Sequence, residues 1–515
     1  MQCLADIVRH HARVRPDALA IEYVNDGRSW SFAALDRESN RVAQALARAG
    51  VAAGSRVAYL DRNAPEYFSY LFGAAKLNAV SVAVNWRLAP PEMAFILNDS
   101  ESRVVLVGEE FLGHLAQISF DRSPEVVVIG DGGYPSFEQW LADTADHDPE
   151  VAAHPDDTCY QLYTSGTTGL PKGVEITHDN FFGAMEEGLA AVGMSASSVN
   201  LVCMPLFHIA GSGWGLVGMH QGARMVLLRD VELANILDAI PRYGVTHALF
   251  VPAVLQFLLA TPGIDEADLS SLETIVYGAS PITEPVLVRA MEVFGCNFMQ
   301  AYGLTETTGS ITILAPEDHD PGGPRAYLLR SCGRPVAPNR VRIVDPETLT
   351  DMPEGEVGEI WNQGRQNMKG YWNNPEATAA TIDADGWLRT GDAGYLRDGY
   401  LYIHDRVKDM IISGGENIYP AEVENALLKH PGVADAAVIG VPSERWGETP
   451  MAVVVRKDDA LTEDDVIAFC RSQLAHYKCP TSVTWSDALP RNPSGKILKT
   501  ELREPYWKGQ QRRVS

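Results

Sequence analysis

The run Tyr163–Gly173, Tyr-Thr-Ser-Gly-Thr-Thr-Gly-Leu-Pro-Lys-Gly, constrains this chain more than any other stretch. Ser165, Thr167 and Thr168 offer hydroxyls, and Gly166, Gly169 and Gly173 let the backbone come close to a bound group and turn its N–H groups inward. Lys172 adds a mobile positive charge, so the loop is built to wrap an anion. The apolar-to-polar step over Tyr160–Thr164 predicts a strand feeding the loop, as phosphate sites commonly follow strands. The spacing is not that of a Walker A loop: counted from Gly166, Pro171 and Gly173 stand where Gly and Ser or Thr would be required. A surface loop of turn residues would account for the glycines or for the hydroxyls. It accounts poorly for both together with a lysine.

Strand and helix signals alternate from the N-terminus to about residue 300. Ser31 precedes Leu35, Val42 and Leu46 on one helical face, and Gly50 stands where that helix would stop. Arg56–Leu60 reads as a strand, Pro65 opens a helix running through Ala75, and further strand signals fall at Arg103–Val107, Val126–Ile129, Arg224–Leu228 and Thr274–Val276. Alternation of this kind implies parallel sheets covered by helices, with ligands at the carboxyl ends of the strands. After Gly333 the texture changes to short β segments between the turn pairs Asp345-Pro346, Glu354-Gly355, Asp385-Gly386 and Asp398-Gly399. Beyond Asp409 a last block has its own apolar pattern: Pro420 opens a helix with Val423, Leu427 and Leu428 inward, and Pro431 ends it. That block is long enough for a small domain, and 515 residues exceed one ordinary core.

Composition narrows the partners. Hydrophobic residues make up 46 %, which suits globular packing and excludes extended disorder. A formal charge of −25 argues against nucleic acid as a partner and against general affinity for anionic lipid, so any anionic ligand must meet a local positive island. The seven cysteines show no C-x-x-C spacing and read as reduced thiols of a cytoplasmic protein, with neither a zinc site nor a disulfide frame. Met1–Pro16 reads as an arginine-bearing helix without the apolar core of a secretory signal. The longest apolar stretch, Leu71–Val84, is broken by Lys76 and Asn78, so no membrane span is expected. Peripheral membrane contact and a homodimer stay open.

Five further strings carry chemistry. They are Gly278-Ala279-Ser280-Pro281, Gln300-Ala301-Tyr302-Gly303-Leu304-Thr305-Glu306, Thr390-Gly391-Asp392, the pair His404–Asp409 and Ile412–Asn417, and Pro490-Arg491-Asn492-Pro493-Ser494-Gly495-Lys496. With the phosphate loop they run in order from residue 163 to residue 496 and resemble the adenylate-forming (AMP-binding) superfamily, and within it the acyl-CoA synthetases and fatty-acid–CoA ligases. The resemblance implies an α/β fold. Its large N-terminal part, 1–406, would hold two doubly wound αβ subdomains plus a small β-barrel, and 407–515 would form a mobile α+β domain turning on Lys408.

The resemblance also implies roles. ATP or AMP would be held by Thr164, Ser165, Gly166, Thr167, Thr168, Gly169, Lys172, Gly278, Ala279, Ser280, Tyr302, Gly303, Asp392 and Arg406. Tyr302 would lie against adenine, Thr305 would reach the α-phosphate, and Glu306 with Thr168 would hold Mg²⁺. Asp392 would take both ribose hydroxyls, which suits a carboxylate. Lys496 would be the catalytic lysine, an ammonium directed at the charge that builds when a carboxylate attacks the α-phosphorus.

The implied reaction makes acyl-AMP and pyrophosphate from a carboxylic acid and Mg·ATP, and a thiol then displaces AMP. Rival readings are an amino-acid adenylation domain, a luciferase-like oxygenase, a ligase that loads a carrier protein, and a non-catalytic nucleotide binder. In Pro205-Leu206-Phe207-His208, His208 stands where amino-acid-activating relatives place an aspartate for the substrate ammonium, which favours an acid without an α-amine. His208, Gly211 and Trp214 are expected around the acyl pocket, His208 as gate and Trp214 as wall. CoA would be met by Arg87, Ser413, Gly414, Gly415, Glu416, Trp446 and Tyr477. A medium- or long-chain fatty acid is favoured over an aryl or ring-bearing acid, and the choice between CoA and a carrier protein stays open.

Overall fold

A computed structural model of the chain describes residues 1–164, 171–188, 190–280, 282–406, 409–413, 416–443, 445–491 and 497–508. Two mainly parallel sheets form its larger part. The first, among the described residues, has seven strands in the order Gly370–Tyr371, Lys172–Thr177, Thr158–Thr164, Val80–Ala83, Arg56–Leu60, Val104–Gly108 and Glu125–Ile129. The second has nine, in the order Arg334–Pro335, Gly309–Leu314, Asn297–Leu304, Thr274–Gly278, His247–Phe250, Val199–Val202, Arg224–Leu227, Leu19–Tyr23 and Ser29–Ser31. Antiparallel pairing is confined to the ends of these sheets, where short neighbours such as Lys172–Thr177 and Gly309–Leu314 turn back on the parallel strands.

The helices between them follow from local chemistry. Phe32–Arg48 is capped by Ser31, whose Oγ accepts the Ala34 N–H at 3.2 Å, and its buried face carries Leu35, Val42 and Leu46. Pro65 starts Pro65–Lys76, a helix buried on every side, in which the Lys76 ammonium is answered by Asp36 Oδ1 at 2.6 Å. One apolar cluster, containing Val57, Phe68, Tyr160, Trp214 and Met299, runs through both sheets and locks the two subdomains together.

Where the sequence leads one to expect a small barrel, Arg340–Val344, Gly358–Gln363, Leu388–Arg397 and Tyr400–Arg406 form a four-stranded antiparallel sheet. Its last strand is tied to the nine-stranded sheet by backbone bonds between Leu401 and both Cys332 and Gly333. The C-terminal block has a sheet of its own around the long hairpin Val433–Ser443 and Gly447–Arg456, with Ile411–Ser413, Glu416–Ile418 and Ser482–Trp485 added. Helix Pro420–Leu427 buries Val423 and Leu427 against it, while Leu428 is only partly covered. The His404–Tyr419 ring contact, at 5.0 Å, joins this block to the strand that leads into it, and the ion pair Asp409–Arg503, at 2.9 Å, ties the start of the block to its last helix. All seven cysteines are free thiols, and no described helix is long and apolar enough to cross a membrane.

Candidate active site

Strands from both large sheets end at one corner. Thr158–Thr164 ends at Thr164, Asn297–Leu304 stops at the short turn Thr305–Thr307, and Gly370–Tyr371 adds to the edge of Lys172–Thr177. They meet on Glu306, whose Oε1 accepts hydrogen bonds from the Thr164 hydroxyl at 3.3 Å and the Tyr371 phenol at 3.0 Å. The Glu306 carbonyl takes the Met368 N–H at 2.8 Å, fixing the turn from behind. Lys172 Nζ lies over the Tyr371 ring at 4.9 Å. Burial, then the Glu306 carboxylate, raise the Tyr371 phenol well above its ordinary range, so it remains a donor. Both hydrogen bonds to the carboxylate fall on Oε1. A fixed carboxylate beside a phosphate loop fits Mg²⁺, which takes one or two carboxylates together with substrate phosphate oxygens. Among the described residues no group of three or more His, Cys, Asp or Glu side chains offers a cage made of protein alone.

A second corner is built around Asp392. Tyr302 donates its phenolic proton to Asp392 Oδ2 at 2.8 Å, and Asp392 is buried. Burial, then this carboxylate, keep the Tyr302 phenol far above its usual range. The turn before Asp392 is held by Gly391, in the left-handed region at φ 70°, and by Thr390, whose hydroxyl donates to Ile360 O at 2.7 Å and accepts the Asp392 N–H at 3.1 Å. Antiparallel register sets Arg406 directly opposite Asp392. Gly278 ends its strand, Ala279 turns through a left-handed φ of 65° and Ser280 follows, while Gly303 pairs with Ser310 and Thr305 is buried at the start of the turn.

His208 caps the helix Ile209–His220. Its N–H goes to Pro205 O at 3.1 Å, and a Cβ on Gly211 would strike the same carbonyl, so glycine is what lets the helix start against this loop. Burial, then the charge of Arg87, lower the His208 imidazole below its ordinary value and favour its neutral form. Phe207 stands beside it with ring centroids 5.9 Å apart. Trp214, expected as a wall of the acyl pocket, is buried and gives its indole N–H to Leu201 O at 3.0 Å.

In the C-terminal block, Ser413 is opposite Gly447, one residue from Trp446. Trp446 is 46 % exposed with the Arg445 guanidinium 4.5 Å over its ring. Tyr477, 49 % exposed, has Lys478 Nζ 5.9 Å from its ring, and that lysine is bound by Glu422 at 2.8 Å. Ser165, Gly166, Thr167, Thr168, Gly169, Lys408, Gly414, Gly415 and Lys496 lie outside the described residues, as do the side chains of Arg406 and Glu416. Tyr371 was not expected from sequence. The Gly370-Tyr371-Trp372 triplet before the Pro375 helix start is its only local signal, since its partner Glu306 is 65 residues away.

A sequence profile described as AMP-binding enzyme matches residues 8–372. The chain belongs to the AMP-binding enzyme family. A second profile, that of the AMP-binding enzyme C-terminal domain, matches residues 422–496 of this AMP-binding enzyme. It is 41 % identical over 524 residues to the fatty acid–acyl-carrier-protein ligase ScoC of Streptomyces coeruleorubidus, covering 100 % of this chain and 98 % of that protein. It is 36 % identical over 507 residues to the long-chain-fatty-acid–CoA ligase FadD13 of Mycobacterium tuberculosis, covering 98 % and 99 %. Among solved structures it resembles ATP-bound MatB from Rhodopseudomonas palustris, with a TM-score of 0.90, 30 % identity and coverage of 98 % and 99 %.

Proposed function

We propose that this AMP-binding enzyme activates a fatty-acid-like carboxylic acid of medium or long chain with ATP, then transfers the acyl group to CoA, releasing AMP. The observation that carries the reading is the pair of corners: Lys172, Tyr371 and Glu306 in one, which suit phosphates and a metal, and Tyr302 and Asp392 in the other, which suit a ribose. In the first step a carboxylate oxygen attacks the α-phosphorus and the bond to pyrophosphate breaks. Lys172 and Lys496 place positive charge on the oxygens that gain it, and Thr305 donates to the α-phosphate. Glu306 and Thr168 would hold Mg²⁺, which when bound neutralises phosphate charge. Asp392 and Arg406 orient the ribose.

In the second step the thiol sulphur attacks the acyl carbon and the bond to AMP breaks. Neutral His208 carries no charge to compete with an acyl chain, and no carboxylate replaces it to attract an α-ammonium. The thiol would approach past Gly414 and Gly415, with the phosphorylated end near Arg87 and the adenine on Trp446 or Tyr477. Residues 407–515 would turn on Lys408 between the steps, carrying Lys496 away.

A carrier-protein acceptor is the second reading, favoured by the resemblance to ScoC. Pyrophosphate release measured over a panel of fatty and aryl acids, alone and with CoA or a phosphopantetheinylated carrier protein, tests both. Thioester formed on CoA from a fatty acid is expected. Thioester formed only on the carrier would replace CoA as acceptor, and release driven best by aryl acids would replace the fatty acid.

A further inference from the structure

The edge of the seven-stranded sheet has two faces, and one of them carries the Glu306 corner. Side chains alternate along a strand, and paired residues share a face. Thr164 pairs with Lys172 and Tyr371 with Val174, which puts Thr164, Lys172 and Tyr371 on the face that meets Glu306. Gln161 pairs with Glu175 and Tyr163 with Gly173, so these stand on the opposite face, and Trp372, next after Tyr371, turns to the same side. Each site residue is therefore next in sequence to a residue of the other face: Thr164 to Tyr163, Lys172 to Gly173 and Tyr371 to Trp372.

That other face is a bonded network. The Tyr163 phenol donates to Asp99 Oδ2 at 2.6 Å and accepts the Gln161 amide at 2.9 Å. Arg56, with a side chain only 10 % exposed, gives Nε to Gln161 Oε1 at 3.2 Å, one Nη to Glu175 Oε1 at 2.9 Å and the other to Gly54 O at 2.8 Å. Its guanidinium lies 3.3 Å from the centre of the Trp372 ring. The Trp372 indole N–H goes to Asp99 O at 2.8 Å and its backbone N–H to Gly173 O at 2.7 Å. Gly173 has no space on this side, since a Cβ there would come within 2.6 Å of the Gln161 amide nitrogen. Asp99 thus holds both strands, Thr158–Thr164 through its carboxylate and Tyr163, Lys172–Thr177 through its carbonyl and Trp372. Side chains that must meet a charged ligand keep their aim only when the groups behind them are fixed. We infer that Trp372 is a positioning residue for adenylation: clamped between Arg56 and Asp99, it fixes Gly173 and Tyr371, and through them the aim of Lys172 and the Tyr371–Glu306 bond. The inference rests on the adenylation reading above.

The test compares Trp372→Leu, which removes both the ring beside Arg56 and the bond to Asp99, with Trp372→Phe, which keeps a ring, and Tyr163→Phe, which cuts the network on the other strand. Two half-reactions are followed in the full-length enzyme. One is acid-dependent ATP–pyrophosphate exchange. The other is thioester formation from supplied acyl-AMP, on CoA or on a carrier protein, whichever the unaltered enzyme uses. The β- and γ-phosphates take part only in the first. Trp372→Leu should lower exchange about tenfold and raise the Mg²⁺ needed for half-maximal exchange, with thioester formation within about twofold. Trp372→Phe should recover most of the exchange. Tyr163→Phe, which decides the matter if Trp372→Leu does not fold, should lower exchange about threefold and again spare the thioester step. Equal losses in the two half-reactions would overturn the positioning role, because the network would then act through packing alone. Normal exchange in both Trp372→Leu and Tyr163→Phe would overturn it as well. If the unaltered enzyme shows no acid-dependent exchange, the adenylation reading fails first and takes this inference with it.

Discussion

At the scale of single residues, Glu306 and Tyr371 make the sharpest claim. Tyr371→Phe removes one hydrogen bond from the carboxylate and leaves the Lys172–ring contact in place. Losing an outer partner of this kind is expected to raise the Mg²⁺ requirement and lower turnover on the order of tenfold. Glu306→Gln removes the charge itself and should cost more in both quantities. Titrating activity against Mg²⁺ at saturating ATP checks the pair, and unchanged magnesium dependence in both variants would make this corner structural. Asp392 was read from sequence only through the resemblance of Thr390-Gly391-Asp392 to a family motif, and the fold holds that turn with Gly391 at positive φ. Tyr371 was not legible in the same way. Its partner Glu306 lies 65 residues away, and the pairing of Gly370–Tyr371 with the edge of the sheet brings the two together. Trp214, expected as a pocket wall, is buried against the sheet with its indole N–H on Leu201 O. In a segment as uniformly apolar and glycine-rich as Ile209–His220, periodicity does not say which face meets the sheet.

At the scale of elements, the start of that helix governs the gate. Gly211 packs on the Pro205 carbonyl with no room for a methyl group. Gly211→Ala should therefore shift the helix start or the Pro205–His208 loop and destabilise the protein by roughly 1–3 kcal/mol. Displacing His208 should raise KM for the acid while KM for ATP stays near normal. Thermal melting and the two KM values check this, and a fully stable variant with normal acid KM would show that the loop yields without consequence. Element boundaries read from sequence fared best where a stop or start residue sits at the end: Arg56–Leu60 is a strand over the expected span, and Pro65 opens its helix as expected. After Gly333 the turn pairs likewise mark strand ends, around Arg340–Val344, Gly358–Gln363, Leu388–Arg397 and Tyr400–Arg406, while the order in which those strands pair depends on which edges meet in space.

For the whole molecule, buried histidines set the response to acid. His178 and His319 are buried, and burial presses both imidazoles down to about 4 from an ordinary 6.5. The unfolded chain takes up these protons first, so folding weakens as pH falls from about 6.5 towards about 4, by on the order of 3 kcal/mol for each histidine at the lower end. Asp61 works the other way. Burial raises its carboxyl to about 6, and the proton it binds in the folded state returns part of the loss. Melting temperature should fall by at least a few degrees between pH 7 and pH 5. A flat profile over that range would show that these groups titrate as they do in the unfolded chain. The two-step chemistry itself is tested most directly by running the reaction with a fatty acid whose carboxylate carries heavy oxygen. Attack of that carboxylate on the α-phosphorus leaves one labelled oxygen on AMP and none on pyrophosphate, which is the result expected here. Unlabelled AMP, or label in inorganic phosphate released together with ADP, would contradict an acyl-adenylate and with it the reading of the site.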